Sequence, residues 1–135
     1  MSEGYSGTPL PRKLGIKEGS RLATVDAPPG FEATLGDLPA GVERCDVADG
    51  SLDVVVLFAL SERHLRDRLA GLIAALAPAG GLWVAWPKRA SGVPSDLGDG
   101  IVRELGLATG LVDNKVCAID ETWSGLRFVR RLRDR

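Results

Sequence analysis

Strands and helices alternate along this 135-residue chain. That order predicts an α/β fold, a three-layer Rossmann-like sandwich with a mostly parallel sheet. Three observations carry the prediction. Leu52–Leu60 holds the unbroken apolar run Val54-Val55-Val56-Leu57-Phe58, the pattern of a strand buried on both faces. The next segment places Leu65, Leu69, Leu72, Ile73 and Leu76 on one stripe at helical spacing. Val112–Ile119 and Trp123–Leu132 face each other across Asp120-Glu121-Thr122, which predicts a closing antiparallel pair.

The elements follow in order. Residues 1–7 are expected to be mobile. Thr8 is the predicted N-cap of a short helical turn, with Pro9 its first residue and Gly15 its stop. Residues 1–15 thus form an arm, and 16–135 a single domain. The first strand is Arg21–Asp26, broken by Pro28-Pro29-Gly30. Phe31–Leu35 reads as a short helix ended by Gly36, and Val42–Cys45 as a weak second strand. Ser61 caps the helix after Leu60, and Pro78 with Gly80-Gly81 stops it. Leu82–Trp86 is another buried strand, followed by an irregular loop over 87–95. Asp96 is the expected cap of a last helix turning Leu97, Ile101, Val102, Leu105 and Ala108 inward and stopping at Gly110. Right-handed crossovers then give the spatial order 2-1-3-4-6-5 in this chain's strand numbering.

Composition bounds the function. At 44 % hydrophobic and 26 % charged residues, the chain can build one ordinary core. No apolar run approaches the roughly 20 residues of a bilayer span, and the start lacks a signal-peptide pattern, so the expected location is cytoplasmic and off the membrane. Cys45 and Cys117 lie in no CxxC or Cys/His arrangement and read as reduced, buried side chains. With one His and two Cys, no metal site is expected. Net charge is −1, but residues 126–135 carry +4 and the rest −5. The basic end reads as a solubilising edge strand. Its alternative, a nucleic-acid surface using Arg127, Arg130 and Arg131, would show steep weakening with salt. There is no GxxxxGK[ST] phosphate loop and no Gly-x-Ser-x-Gly elbow. His64 falls off its helix's apolar stripe and is expected to be exposed, without a triad role.

Two resemblances refine this. Leu76-Ala77-Pro78-Ala79-Gly80-Gly81-Leu82-Trp83-Val84 resembles the turn entering the fifth strand of class I S-adenosylmethionine methyltransferases. Leu52-Asp53-Val54-Val55-Val56 resembles their fourth strand, Ile16–Asp26 the lead-in to their first, and the closing pair their last two. The similarity spans about residues 14–132. One crossover helix and one strand are missing, because only six residues separate Asp46 from Asp53. Separately, Gly4-Tyr5-Ser6-Gly7-Thr8-Pro9-Leu10, Trp86-Pro87-Lys88, Ala90-Ser91-Gly92-Val93-Pro94 and Trp123-Ser124-Gly125-Leu126 are similar to blocks of a small bacterial family of unknown function.

The methyltransferase resemblance implies a cofactor loop after the first strand, with an acidic residue and spaced glycines. Here Thr24 stands at the acid's place, Asp26 and Pro28 at the first two glycines, and only Gly30 matches. Proline removes a backbone donor and fixes φ. A carboxylate at Asp26 would also face the carboxylate of the cofactor's methionine. Asp46, after the weak strand, remains a candidate for gripping a ribose. The leading reading is therefore no resident cofactor, with S-adenosylmethionine as the alternative of a divergent methyltransferase.

The fold brings one constellation together. Asp26, Gly30, Ser61, Lys88, Ser91, Glu121 and Trp123 fall at the carboxyl edge of the sheet, where open α/β sheets bind ligands. Lys88 near Asp26 or Glu121 reads either as an ion pair tying down the 87–95 loop or as a group that holds an anion or moves a proton. Trp86 and Trp123 read as core or as a stacking wall. Tyr5, Ser6 and Thr8 would form an arm over this cleft or a neighbouring subunit. The expected function is a binding domain for a small anionic ligand or a protein partner, with a homodimer covering any exposed apolar face.

Overall fold

The computed structural model describes residues 7–135; Tyr5 and Ser6 lie outside them. The chain runs α1 (Leu10–Lys13), β1 (Arg21–Val25), α2 (Phe31–Leu35), β2 (Glu43–Arg44), β3 (Leu52–Phe58), α3 (Glu62–Ala75), β4 (Leu76–Pro87), α4 (Asp99–Leu107), β5 (Val112–Ala118) and β6 (Trp123–Val129). Short 3-10 turns cover Val47–Asp49, Arg89–Ser91 and Leu132–Asp134. The six strands form one sheet in the order β2-β1-β3-β4-β6-β5. β2, β1, β3 and β4 are parallel, while β6 runs antiparallel to both β4 and β5. This is the predicted order and the predicted mixed α/β class.

The apolar run of β3 works by alternation. Val55 and Leu57 point to the face covered by α3 and α4, where they meet Leu65, Leu69, Leu72, Val102 and Leu105. Val54, Val56 and Phe58 point to the other face, against Leu14, Phe31, Leu35 and Trp83. Each fully buried side chain of this kind stabilises the fold by about 1.5–3 kcal/mol before chain entropy is counted. Trp83, in β4, is wholly buried, and its indole Nε1 donates to the Leu14 carbonyl at 2.9 Å, so no donor is stranded.

Several boundaries move. Pro9, not Thr8, takes the N-cap position of α1, and Gly15 follows with φ 80°. α3 ends at Ala75 and the chain turns straight into an extended strand at Leu76, and Pro78 keeps Ala77, the residue before it, out of the helical region. Between the Leu52–Leu76 and Val54–Gly81 pairings, two residues of β3 span five of β4. Gly80 fits there because a Cβ would collide with the Leu52 carbonyl. Asp96 does not cap α4, whose N-cap is Gly98. Its Oδ1 instead accepts from the Glu62 N–H at 2.8 Å and so caps α3 across space. Ile101 is exposed, whereas Val102 and Leu105 are buried.

A single 3-10 turn joins β2 to β3, where the full methyltransferase fold places a helix and a strand. The Asp49 carboxylate accepts from the Asp46 N–H at 2.8 Å to close it. β2 is thus a two-residue edge strand. The opposite edge, β5, is longer but its pairing with β6 shifts between Asp113 and Lys115. No helix among the described residues is long and apolar enough to cross a membrane.

Candidate functional site at the carboxyl edge

The residue just after β1 has a backbone that sterics disfavour. Asp26 sits at φ 58°, in the left-handed region, which Asp tolerates better than most side chains. Its carboxylate Oδ2 lies 2.9 Å from His64 Nε2, in the first turn of α3. Pro28 and Pro29 follow without backbone donors, and Gly30, at φ 85°, is the N-cap of the five-residue α2. Phe31 packs edge-on to Phe58 at 4.8 Å, and Phe58 edge-on to Trp123 at 5.1 Å.

These pieces enclose a cavity of about 490 Å³ where β1 and β3 end. Its apolar wall is Pro28, Pro29, Phe58, Leu60 and Trp123, with Asp26 and His64 as its ionisable groups. The volume falls within the range of small-molecule sites.

The predicted constellation therefore divides. Asp26 and Trp123 line the cavity, and Gly30 begins the helix beside it. Ser61 is occupied as the N-cap of α3, its Oγ accepting from the His64 N–H at 3.1 Å. Lys88 reaches neither Asp26 nor Glu121. Its Nζ donates to the Asp120 carbonyl at 2.7 Å, and its N–H to the Thr122 carbonyl at 2.7 Å. Lys88 therefore ties the loop after β4 to the β5–β6 turn, through main-chain carbonyls rather than through an ion pair. Ser91 Oγ donates to the Lys88 carbonyl at 2.6 Å. Glu121 is exposed, and Asp120 organises that turn, accepting from the Thr122 and Trp123 N–H groups at 2.8 Å each. Trp86 is buried on the α3–α4 face and lines no part of this cavity. Thr8 lines a separate recess of about 240 Å³ with Thr34, Ile119 and Asp120.

Sequence reasoning missed His64. It leaves the apolar stripe as expected, yet it is only half-exposed and meets Asp26. The readable signal was its place three residues after the cap of a helix that starts at the carboxyl edge.

Thr24, in β1, accepts at its Oγ1 from Arg44 at 3.4 Å. The same guanidinium grips Glu32 through two bonds of 2.8 and 2.9 Å, which holds the Glu32 carboxyl below its ordinary value. Asp46 is exposed past β2. Cys45 and Cys117 are free thiols, half-buried rather than fully buried, and burial pushes both upward, away from thiolate character. No group of metal-ligating side chains occurs among the described residues.

No family model matches the chain, and no curated protein matches it in sequence. Solved structures do match it in fold. A putative type 11 methyltransferase from Sulfolobus solfataricus aligns with TM-score 0.58 at 13 % identity, covering 90 % of this chain and 89 % of that one. A SAM-dependent methyltransferase from Aquifex aeolicus aligns with TM-score 0.57 at 13 % identity, covering 87 % and 85 %. A SAM-dependent O-methyltransferase from Thermotoga maritima aligns with TM-score 0.54 at 10 % identity; 90 % of this chain spans 63 % of that protein's length. The fold is thus that of a shortened class I methyltransferase.

Proposed function

We propose that this domain binds a ligand at the carboxyl edge without using the fold's usual methyl donor. The carrying observation is the loop after β1. Asp26 occupies a left-handed position where the family places glycine, and Pro28 and Pro29 supply no N–H to a ligand. A carboxylate-bearing cofactor laid along that loop would meet the Asp26 carboxylate and find few donors.

The cavity favours a ligand, or a partner's side chain, with a flat apolar body. Phe58, Trp123 and the two prolines offer it contact, and the Asp26–His64 pair meets its polar end. Lys88 does not line this cavity, and its ammonium is held by the Asp120 carbonyl. A divergent methyltransferase is the second reading, favoured by the fold of the matching solved structures.

Two measurements test this. Calorimetric titration with S-adenosylmethionine and S-adenosylhomocysteine is expected to give no binding heat where a control methyltransferase does. A dissociation constant below about 100 μM, or about −5.5 kcal/mol, would establish the second reading. The chain has one histidine, so its imidazole NMR signals report on the cavity without assignment ambiguity. Planar aromatic fragments are expected to move the His64 signals. A panel that moves signals elsewhere and leaves His64 untouched would refute ligand binding at this edge.

A further inference from the structure

At the opposite, amino edge of the parallel strands, a recess of about 360 Å³ gathers positive charge. Lys13 comes from the end of α1, Lys17 from the turn before β1, Lys115 from β5 and Arg127 from β6. Among the described residues one carboxylate lines it, Asp53, whose Oδ2 already accepts from the Arg21 N–H at 2.8 Å. Lys17 and Lys115 are exposed, and their ammonium groups have no hydrogen-bond or ion-pair partner among the described residues.

Arg127 is placed with particular care. It lies directly opposite Lys115 across the β5–β6 pairing, a like-charge arrangement that costs stability. Its guanidinium lies over Gly81, where a Cβ would stand 2.5 Å from Nε and 2.8 Å from Cζ. Nε is buried with no hydrogen-bond partner among the described residues, and Nη1 makes a long 3.3 Å bond to Asn114 Oδ1. Burial, with Arg135 acting in the same direction, holds the guanidinium below its ordinary pKa. Converging cations with an unpaired buried donor are the features by which proteins bind anions.

We propose that this recess binds the phosphate end of a small phosphorylated ligand, held by Lys17, Lys115 and Arg127. The site is separate from the carboxyl-edge cavity and does not depend on it. A small ligand is favoured over a nucleic-acid backbone for two reasons. The recess is bounded and of small-ligand size. The basic strip beyond it is interrupted, because Arg130 donates to the Ile73, Ala77 and Leu76 carbonyls at 2.7, 2.9 and 3.3 Å.

The probe is inorganic diphosphate, titrated by calorimetry at constant ionic strength against chloride. The expected result is a dissociation constant below about 1 mM. Lys17→Gln/Lys115→Gln, at two exposed positions, is expected to weaken binding at least about tenfold. The same variant should melt no lower than the wild type without ligand, because repulsion is relieved; a purely structural role would lower it. Arg127→Gln is expected to weaken binding in the same direction, and Arg63→Gln, on the exposed side of α3, to leave it unchanged. Three results would overturn the proposal: diphosphate bound no tighter than chloride, an unaffected double variant, or a single-stranded oligonucleotide that binds with steep salt dependence and is not displaced by diphosphate.

Discussion

His64 Nε2 lies 2.9 Å from Asp26 Oδ2, and this contact joins the end of β1 to the first turn of α3. The two elements flank the point from which the sheet's connections diverge. Asp26 accepts a left-handed backbone to make it. Asp26→Asn keeps a side chain that tolerates that conformation and is expected to shift stability by less than about 0.5 kcal/mol. Asp26→Val puts a β-branched residue there and should cost about 2 kcal/mol. Denaturant midpoints of the two variants, measured side by side, check the ordering; equal midpoints would contradict the strain.

Arg130 donates to the Ile73 carbonyl in the last turn of α3 and to the Leu76 and Ala77 carbonyls just beyond it. Charge-assisted bonds of this kind contribute about 1.5–3 kcal/mol. Arg130→Met is expected to destabilise the fold by about 2 kcal/mol, with hydrogen exchange rising first in the last turn of α3. Wild-type exchange there would show that the guanidinium is dispensable.

Gly106, in α4, packs directly against the Phe128 ring of β6. A Cβ at this position would collide with the Phe128 ring. Alanine is the better helix former, so propensity alone predicts stabilisation. The clash predicts the reverse, a loss of about 1–3 kcal/mol for Gly106→Ala, read from thermal or chemical unfolding.

Arg103 links α4 to β5 by donating to Asp113 Oδ2 at 2.9 Å, and it also pairs with Asp99. The Asp113 bond holds that carboxyl below its ordinary value. A depressed carboxylate contributes stability that is full above its unfolded value and is lost as pH falls through the folded one. Asp113→Asn is therefore expected to be less stable than the wild type near neutral pH. The difference should close as the solution is acidified below the ordinary carboxylate range. A gap that persists in strong acid would place the effect elsewhere.

The sheet was legible because its signals are local and strong. Continuous apolar runs on β3 and β4, and the turns at Pro28-Pro29-Gly30 and Asp120-Glu121-Thr122, mark the strands and their connections directly. In the candidate cavity, Asp26 and Trp123 were legible on the same ground, since both stand at strand ends. The rest depended on contacts that no local pattern carries. Lys88 is held by main-chain carbonyls, which every residue has. Asp96 caps a helix 34 positions before it rather than the one after it. The amino-edge cations come from four segments separated in sequence, so only the folded chain shows that they converge.

The two margins of the sheet also govern what the protein does at high concentration. An unpaired strand is a template for another chain's backbone, and long flat edges are where aggregation begins. Here one margin offers only the two residues of β2. The other has its regular hydrogen-bonding array broken between Asp113 and Lys115, with a charged ammonium standing at the break. Losing the helix and strand between β2 and β3 therefore leaves, at that margin, only the two residues of β2 for a second molecule to extend.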